Sequence, residues 1–163
     1  MKFDTSSCIL KPMNEEAAKI IKEWEYPKPY DVYSFKGKKN GYLLDEKTWG
    51  IEQFFLVCDN EIIGQVACQY EKEDLWVGWS LSPTFCGKGK GHLFIGKCIE
   101  EISRIKQHNG ALLLRVAASN ERAIKCYMKV GFIFEDKILD EVAGTNNPED
   151  FWIMKLPVQR GEK

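Results

Sequence analysis

Leu81-Ser-Pro-Thr-Phe-Cys-Gly-Lys-Gly-Lys-Gly-His92 sets three glycines, Gly87, Gly89 and Gly91, at alternate positions around Lys88 and Lys90. An apolar run at 75–81 leads into it, and a helical pattern leads out. Phe94/Ile95, Cys98/Ile99, Ile102 and Ile105 form one stripe, with Lys97, Glu100, Glu101 and Arg104 outside it. Glycine allows left-handed backbone and close approach of a ligand. The first turn of a helix offers unpaired N–H groups and a partial positive charge. Strand, glycine loop and helix start together predict an anion cradle suited to a phosphate or pyrophosphate. The plain alternative is a strand-to-helix turn that uses glycine only for tightness.

Downstream, His108-Asn-Gly110 is expected to close the helix. The apolar run 111–117 reads as a strand buried on both faces, so 75–117 forms a right-handed crossover between parallel strands. A second helix runs from Ser119 or Asn120 to Val130 and stops at Gly131, and strands follow at 132–138 and 151–156 with a polar loop at 140–150.

Upstream, Cys8-Ile-Leu10 makes a short strand broken by Pro12. Asn14 caps a helix of about three turns whose stripe is Ala17, Ile20, Ile21 and Trp24. Pro27 and Pro29 end it. A solvated turn occupies 36–41, and a short helix is expected at 42–47. Strand 54–58, the turn Asp59-Asn60 and strand 61–70 form a hairpin. In its second strand Ile62, Gly64, Val66, Cys68 and Tyr70 share one face, while Gln65 and Gln69 take the other. The turn 71–74 then leads to strand 75–81. These elements predict an α/β fold: a mixed, mostly antiparallel sheet of six or seven strands flanked by about four helices, in a single domain over 1–163. The tail 159–163 is expected to fray.

With 44% hydrophobic and 29% charged residues the chain reads as a soluble globular protein. A net charge of −1 supplies no basic field for nucleic acid or an anionic membrane. The start, Met1-Lys-Phe-Asp-Thr-Ser-Ser, lacks the apolar segment of a signal peptide, and no apolar run reaches spanning length. Six scattered cysteines and two lone histidines have no metal-ligand spacing. Five of the six (Cys8, Cys58, Cys68, Cys86, Cys98 and Cys126) sit in apolar or patterned segments, which suits reduced cysteine in a cytoplasmic core.

Which anion the loop holds is narrowed by exclusion. A nucleotide-triphosphate P-loop needs a lysine and a hydroxyl after its last glycine, but Gly91 is followed by His92-Leu93. The dinucleotide fingerprint fails in both registers, its last glycine falling on His92 or Phe94. The arrangement instead resembles the GNAT superfamily of N-acetyltransferases, whose donor signature Q/R-x-x-G-x-G/A maps to Cys86-Gly-Lys-Gly-Lys-Gly91. Cys86 stands where the family has Gln or Arg. A second family pattern, N-x-x-A-x-x-x-Y-x-x-x-G-F, is carried by Asn120, Ala123, Tyr127, Gly131 and Phe132.

The resemblance implies acetyl-CoA as donor, an amine on a small molecule or peptide as acceptor, and no metal. It implies backbone N–H groups of Gly87, Lys88, Gly89, Lys90, Gly91 and His92 on the pyrophosphate, with Cys86 beside them. Leu81 would expose main-chain groups to the pantetheine arm. Asn120 would bind the pantetheine amide or serve only as a helix cap, and Tyr127 would be the general acid or a core tyrosine. No general base is legible: Glu25, Glu52, Glu71 and a water chain all remain open. The aromatic segment 24–35, with Trp24, Tyr26, Tyr30 and Tyr33, is either the acceptor pocket's wall or a satellite cluster. With Glu25 and Asp31 near the rings it would suit a cationic or partly aromatic amine. Two other readings stay open, an acyl-CoA-binding module without catalysis and a nucleotide-binding regulatory domain. The assembly is expected to be a monomer or homodimer.

Overall fold

The computed structural model describes residues 5–141 and 148–158. The elements in chain order are β1 (Cys8–Pro12), α1 (Glu15–Ile21), β2 (Gln53–Cys58), β3 (Glu61–Glu71), β4 (Asp74–Leu81), α2 (Gly91–Lys106), β5 (Leu112–Ala117), α3 (Glu121–Val130), β6 (Ile133–Glu141) and β7 (Pro148–Leu156). The strands form one seven-stranded sheet in the order β1-β2-β3-β4-β5-β7-β6. Every neighbouring pair is antiparallel except β4 with β5, which run parallel across the α2 crossover. This is the expected α/β architecture with three α-helices among the described residues. The expected loop 140–150 falls largely outside those residues, as does the tail 159–163.

Alternation along the strands divides the core between the two sheet faces. Leu56, Val66, Leu75, Val77, Leu112, Leu114 and Met154 pack with Phe94, Cys98 and Ile102 of α2 in the main core. On the opposite face Phe55 packs with Met13, Ala17, Ala18 and Ile21 of α1, together with Trp24 and Leu43. Asn14 caps α1 by accepting from the Ala17 N–H at 2.8 Å, and Gly131 ends α3 at φ 123°.

Several local expectations are corrected. α1 has only seven residues, and Ile20 is exposed while Ala18 takes the buried place. Helix α2 ends on Gln107 in the left-handed region (φ 51°) rather than at Gly110. In place of a helix at 42–47 there is a 3-10 turn, Glu46–Thr48, begun by the Asp45 side chain. The register of β3 shifts between Leu56/Val57 pairs, leaving Ile63 as an extra residue. That bulge turns Ile63 into the main core and Ile62 to the α1 face, against strict alternation. Gln65 is buried because its side chain donates to Gln53 at 3.0 Å. Cys8 and Cys58 oppose each other across β1 and β2 and are joined as a disulfide, against the expectation of reduced cysteine, while Cys68, Cys86, Cys98 and Cys126 are free thiols.

Glu101, expected on the solvent side of α2, is 5% exposed. Its carboxylate accepts the Leu10 N–H at 3.1 Å and the Arg104 guanidinium at 2.9 Å. Burial alone would raise its pKa, but these donors and Lys97 outweigh that and hold it low. One carboxylate thus satisfies an outward N–H of edge strand β1 and ties it to α2.

Close packing of α2 rests on Gly64 rather than on Gly96, beside which a Cβ would meet open space. A Cβ at position 64 would lie 2.2 Å from Cε1 of Phe94. Gly64→Ala should therefore destabilise the protein by about 1–3 kcal/mol through overpacking. Denaturant unfolding measures this, and adding Phe94→Leu should recover part of the loss.

Candidate functional site

Strands β4 and β5 are hydrogen-bonded only at Leu75↔Leu112 and Trp76↔Leu113. β4 stays paired with β3 as far as Leu81, and β5 with β7 as far as Ala117. The sheet therefore opens along this one seam, while each half keeps its own ladder. A cavity of about 590 Å³ fills the opening.

The seam leaves main-chain groups without a strand partner. Ser82 donates its N–H to Ile63 on β3 at 2.8 Å. Since successive residues of a strand point their polar groups to opposite sides, Leu81 directs its own N–H and C=O into the gap. The Tyr26 hydroxyl donates to the Leu81 carbonyl at 2.6 Å, which fastens the aromatic segment to the end of β4. Burial foremost, then Cys86, pushes the Tyr26 phenol well up, with Arg122 pulling weakly the other way.

The glycine loop closes one end of the cavity. Gly87 and Gly89 sit at φ 73° and 72°, where a side chain would strain the backbone. Lys90 precedes α2 with no side-chain cap. The first helical N–H to find a partner is that of Phe94, on Lys90 O at 3.1 Å. The N–H groups before it have no intrahelical acceptor, as an anion cradle requires. Gly91 lets α2 approach α3, because a Cβ there would be 2.9 Å from the Cys126 sulfur. Cys86, Gly87, Gly89 and Gly91 line the cavity; Lys88, Lys90 and His92 flank it without lining it. The Cys86 thiol points back to the carbonyls of Leu81 (3.6 Å) and Ser82 (3.5 Å), and burial raises its pKa against the pull of Arg122. It orders the loop as a neutral donor.

Deep in the seam stands Tyr127. Its hydroxyl accepts from the indole N–H of Trp79 at 3.2 Å, and its ring lies 5.8 Å from that of Phe132. Burial pushes its pKa up to about 12, with the Trp79 hydrogen bond opposing. Asn120 serves as the expected helix cap, its side chain accepting from Ala123 N at 3.3 Å, and it also lines the cavity.

Tyr26, Tyr30 and Tyr33 form the cavity's aromatic wall, Tyr30 and Tyr33 on a 3-10 turn. Burial first, then Glu149, raises the Tyr33 phenol. Trp24 does not line the cavity: it is buried in the cluster under α1 with Met13, Ala17, Ile21 and Phe55, and its ring meets Phe35 edge-on at 6.2 Å. The three carboxylates left open as bases are not among the lining residues. Glu25 faces Lys36 at the surface, Glu52 holds the Tyr42 hydroxyl, and Glu71 sits at the far end of the β3–β4 hairpin. Asp31 is not in the lining either, so the proposed acidic company for the rings is absent from the wall.

Sequence reasoning passed over Trp79, Lys38, Arg115, Arg122 and Phe151, which all line the cavity. Two left a signal: Trp79 shares a strand face with Leu81, and Arg122 lies inside the Asn120–Phe132 pattern. The others come from segments that meet only in three dimensions. Among the described residues no group of His, Cys, Asp and Glu is placed to hold a metal ion, and no helix is long and apolar enough to cross a membrane.

None of the curated proteins matches the sequence. Solved structures do match in fold. Spermidine N-acetyltransferase from Vibrio cholerae, in complex with CoA and spermine, is 17% identical with a TM-score of 0.72, over 94% of this chain and 96% of that one. The ribosomal-protein-S18-alanine N-acetyltransferase from Escherichia coli is 19% identical with a TM-score of 0.63, over 96% and 97%. A seam that opens after two paired residues, a glycine loop at its mouth and an enclosed tyrosine agree with a match to the acetyltransferase (GNAT) family over residues 17–132. The chain is an acyltransferase belonging to that family.

Proposed function

We propose that the protein transfers an acetyl group from acetyl-CoA directly to a primary amine while both are bound. The observation that carries this reading is the alignment along one cavity of the loop, the exposed Leu81 backbone and the Tyr127 hydroxyl. Gly87, Gly89 and Gly91 with the first N–H groups of α2 hold the pyrophosphate, and Asn120 the pantetheine amide. Lys88, Lys90 and His92 add screened charge at the rim. The donor supplies the thioester carbonyl. The Leu81 N–H faces the gap in which that oxygen gains charge, a contribution of ~2.7–4 kcal/mol for one well-placed donor. The acceptor enters between Tyr26, Tyr30 and Tyr33 and the strand ends. As the amine's bond to the carbonyl carbon forms and the C–S bond breaks, Tyr127 gives its proton to the leaving sulfur, and the proton that the amine nitrogen sheds passes through solvent to restore the tyrosine.

Tyr127→Phe should lower kcat by about 10²–10⁴-fold, the usual range for a lost acid, with the Kd for acetyl-CoA little changed. Steady-state kinetics beside calorimetry tests it, and an unchanged kcat removes Tyr127 from the role. An acetyl-CoA complex that acetylates no member of a broad amine panel would favour a non-catalytic binding module.

The elevated phenol pKa gives a pH signature. A group that works protonated fails as pH rises through its pKa, and that value here is about 12. The kcat profile should thus hold or rise up to about pH 10. A descending limb centred near pH 10, the ordinary tyrosine value, would remove Tyr127 as the acid.

Gly89→Ala should weaken acetyl-CoA binding by about tenfold, since left-handed backbone costs a side-chain-bearing residue roughly 1–2 kcal/mol. Thermal stability without donor should change less than the donor Kd. Equal affinity in the variant would show that the loop conformation is not what binds.

A further inference from the structure

Resting on the acetyltransferase reading, we propose that the acceptor is an amine that carries its own carboxylate next to an apolar or aromatic body, not a polycation. The argument starts from the two mouths of the seam. Leu112, Leu114 and Val116 of β5 face the main core under α2, so Arg115 and Ala117 face the opposite side. On that side stand Phe151 and the segment bearing Tyr30, Tyr33, Phe35 and Lys38, away from the glycine loop. This is the wall that an acceptor meets.

Its charges are all of one sign. Among the described residues Lys38, Arg115 and Arg122 line the cavity, and no aspartate or glutamate does. Asp140 pairs with Arg115, Glu149 accepts from the Ser119 hydroxyl at 2.8 Å, and Asp31 acts on Lys38 only through space. Two of the ring faces that could attract a cationic acceptor are already used. The Arg122 guanidinium sits 3.8 Å from the centroid of Tyr30, and that of Arg115 5.6 Å from Phe151. A polyamine would bring more positive charge into a wall with no carboxylate to receive it, an arrangement that costs rather than gains.

An anion fits instead. Lys38 is partly buried and gives one donor to the Val32 carbonyl, and an ammonium has three. Arg115 engages Asp140 through one of five N–H donors. Both therefore keep donors for a carboxylate, and the rings beside them suit an apolar side chain. Burial lowers the pKa of Lys38, as expected of an ammonium lacking a close anionic partner.

The test uses a matched pair that differs only in the carboxylate. Binding of N-acetylphenylalanine and of N-acetylphenethylamine to the CoA-loaded protein is measured by calorimetry. The acid should bind about tenfold more tightly, the usual worth of one charged hydrogen bond. Lys38→Met and Arg115→Gln should each shrink that gap. Equal or tighter binding of the neutral compound, no binding of either, or a gap unmoved by both variants overturns the inference. Turnover of phenylalanine and of a peptide beginning with Asp, each against its uncharged match, separates a free amino acid from a peptide source. Preferred transfer to phenethylamine or spermidine overturns the inference yet leaves acetyl transfer standing. Failure of acetyl-CoA itself to bind removes both.

Discussion

The site depends on one broken ladder. Beyond Trp76↔Leu113 the parallel strands β4 and β5 share no hydrogen bonds, although both remain paired on their outer sides. Buried backbone groups without partners are costly, so a gap in mid-sheet has to be filled by side chains or by a ligand. Side chains do part of this: Tyr26 takes the Leu81 carbonyl, and Trp79 and Tyr127 bond each other across the seam. The Leu81 N–H is left facing the cavity, where a ligand could accept it. Catalytic placement then follows from the two half-sheets, each rigid because its own ladder is intact.

The surrounding structure holds that opening at a fixed width. Gly64 brings Phe94 of α2 onto β3, and Gly91 brings the start of α2 onto Cys126 of α3. The loop between is bounded by these contacts, so its two left-handed glycines present their N–H groups from a constrained frame. Glu101 anchors the far part of α2 to β1. Helix position, and with it the cradle, is set by contacts at both ends.

The legible parts of the molecule were those where local backbone chemistry leaves a trace. Gly87, Gly89 and Gly131 occupy φ values that favour glycine, Asn14 and Asn120 cap helices, and Asn120–Phe132 carries its pattern within one helix. What escaped was decided by contacts distant in sequence. Trp24 has the periodicity of a helix stripe and the company of a pocket aromatic, and only the packing against Phe35 and Phe55 assigns it to the cluster under α1. The bulge at Ile63 reverses the facing of Ile62, and its one mark in the sequence, Gly64 inside the strand, reads equally as an ordinary strand residue. Glu101 sits among surface-type residues on its helix, and its burial depends on an edge N–H ninety-one positions away. Arg115 reads as a lone charge in an apolar strand until Phe151 is placed beneath it.

The cavity's charge bears on the missing base. Among the described residues no aspartate or glutamate lines it to take the acceptor's proton. An ammonium entering there loses water and meets Lys38, Arg115 and Arg122. Desolvation and like charge both disfavour the protonated form, and both lower its pKa. A carboxylate on the acceptor would occupy the cations while its amine, held toward the seam, stayed within reach of solvent to shed a proton. The lining residues can thus favour the neutral nucleophile by electrostatics alone, and the same burial that raises the Tyr127 pKa keeps its phenol protonated beside the seam.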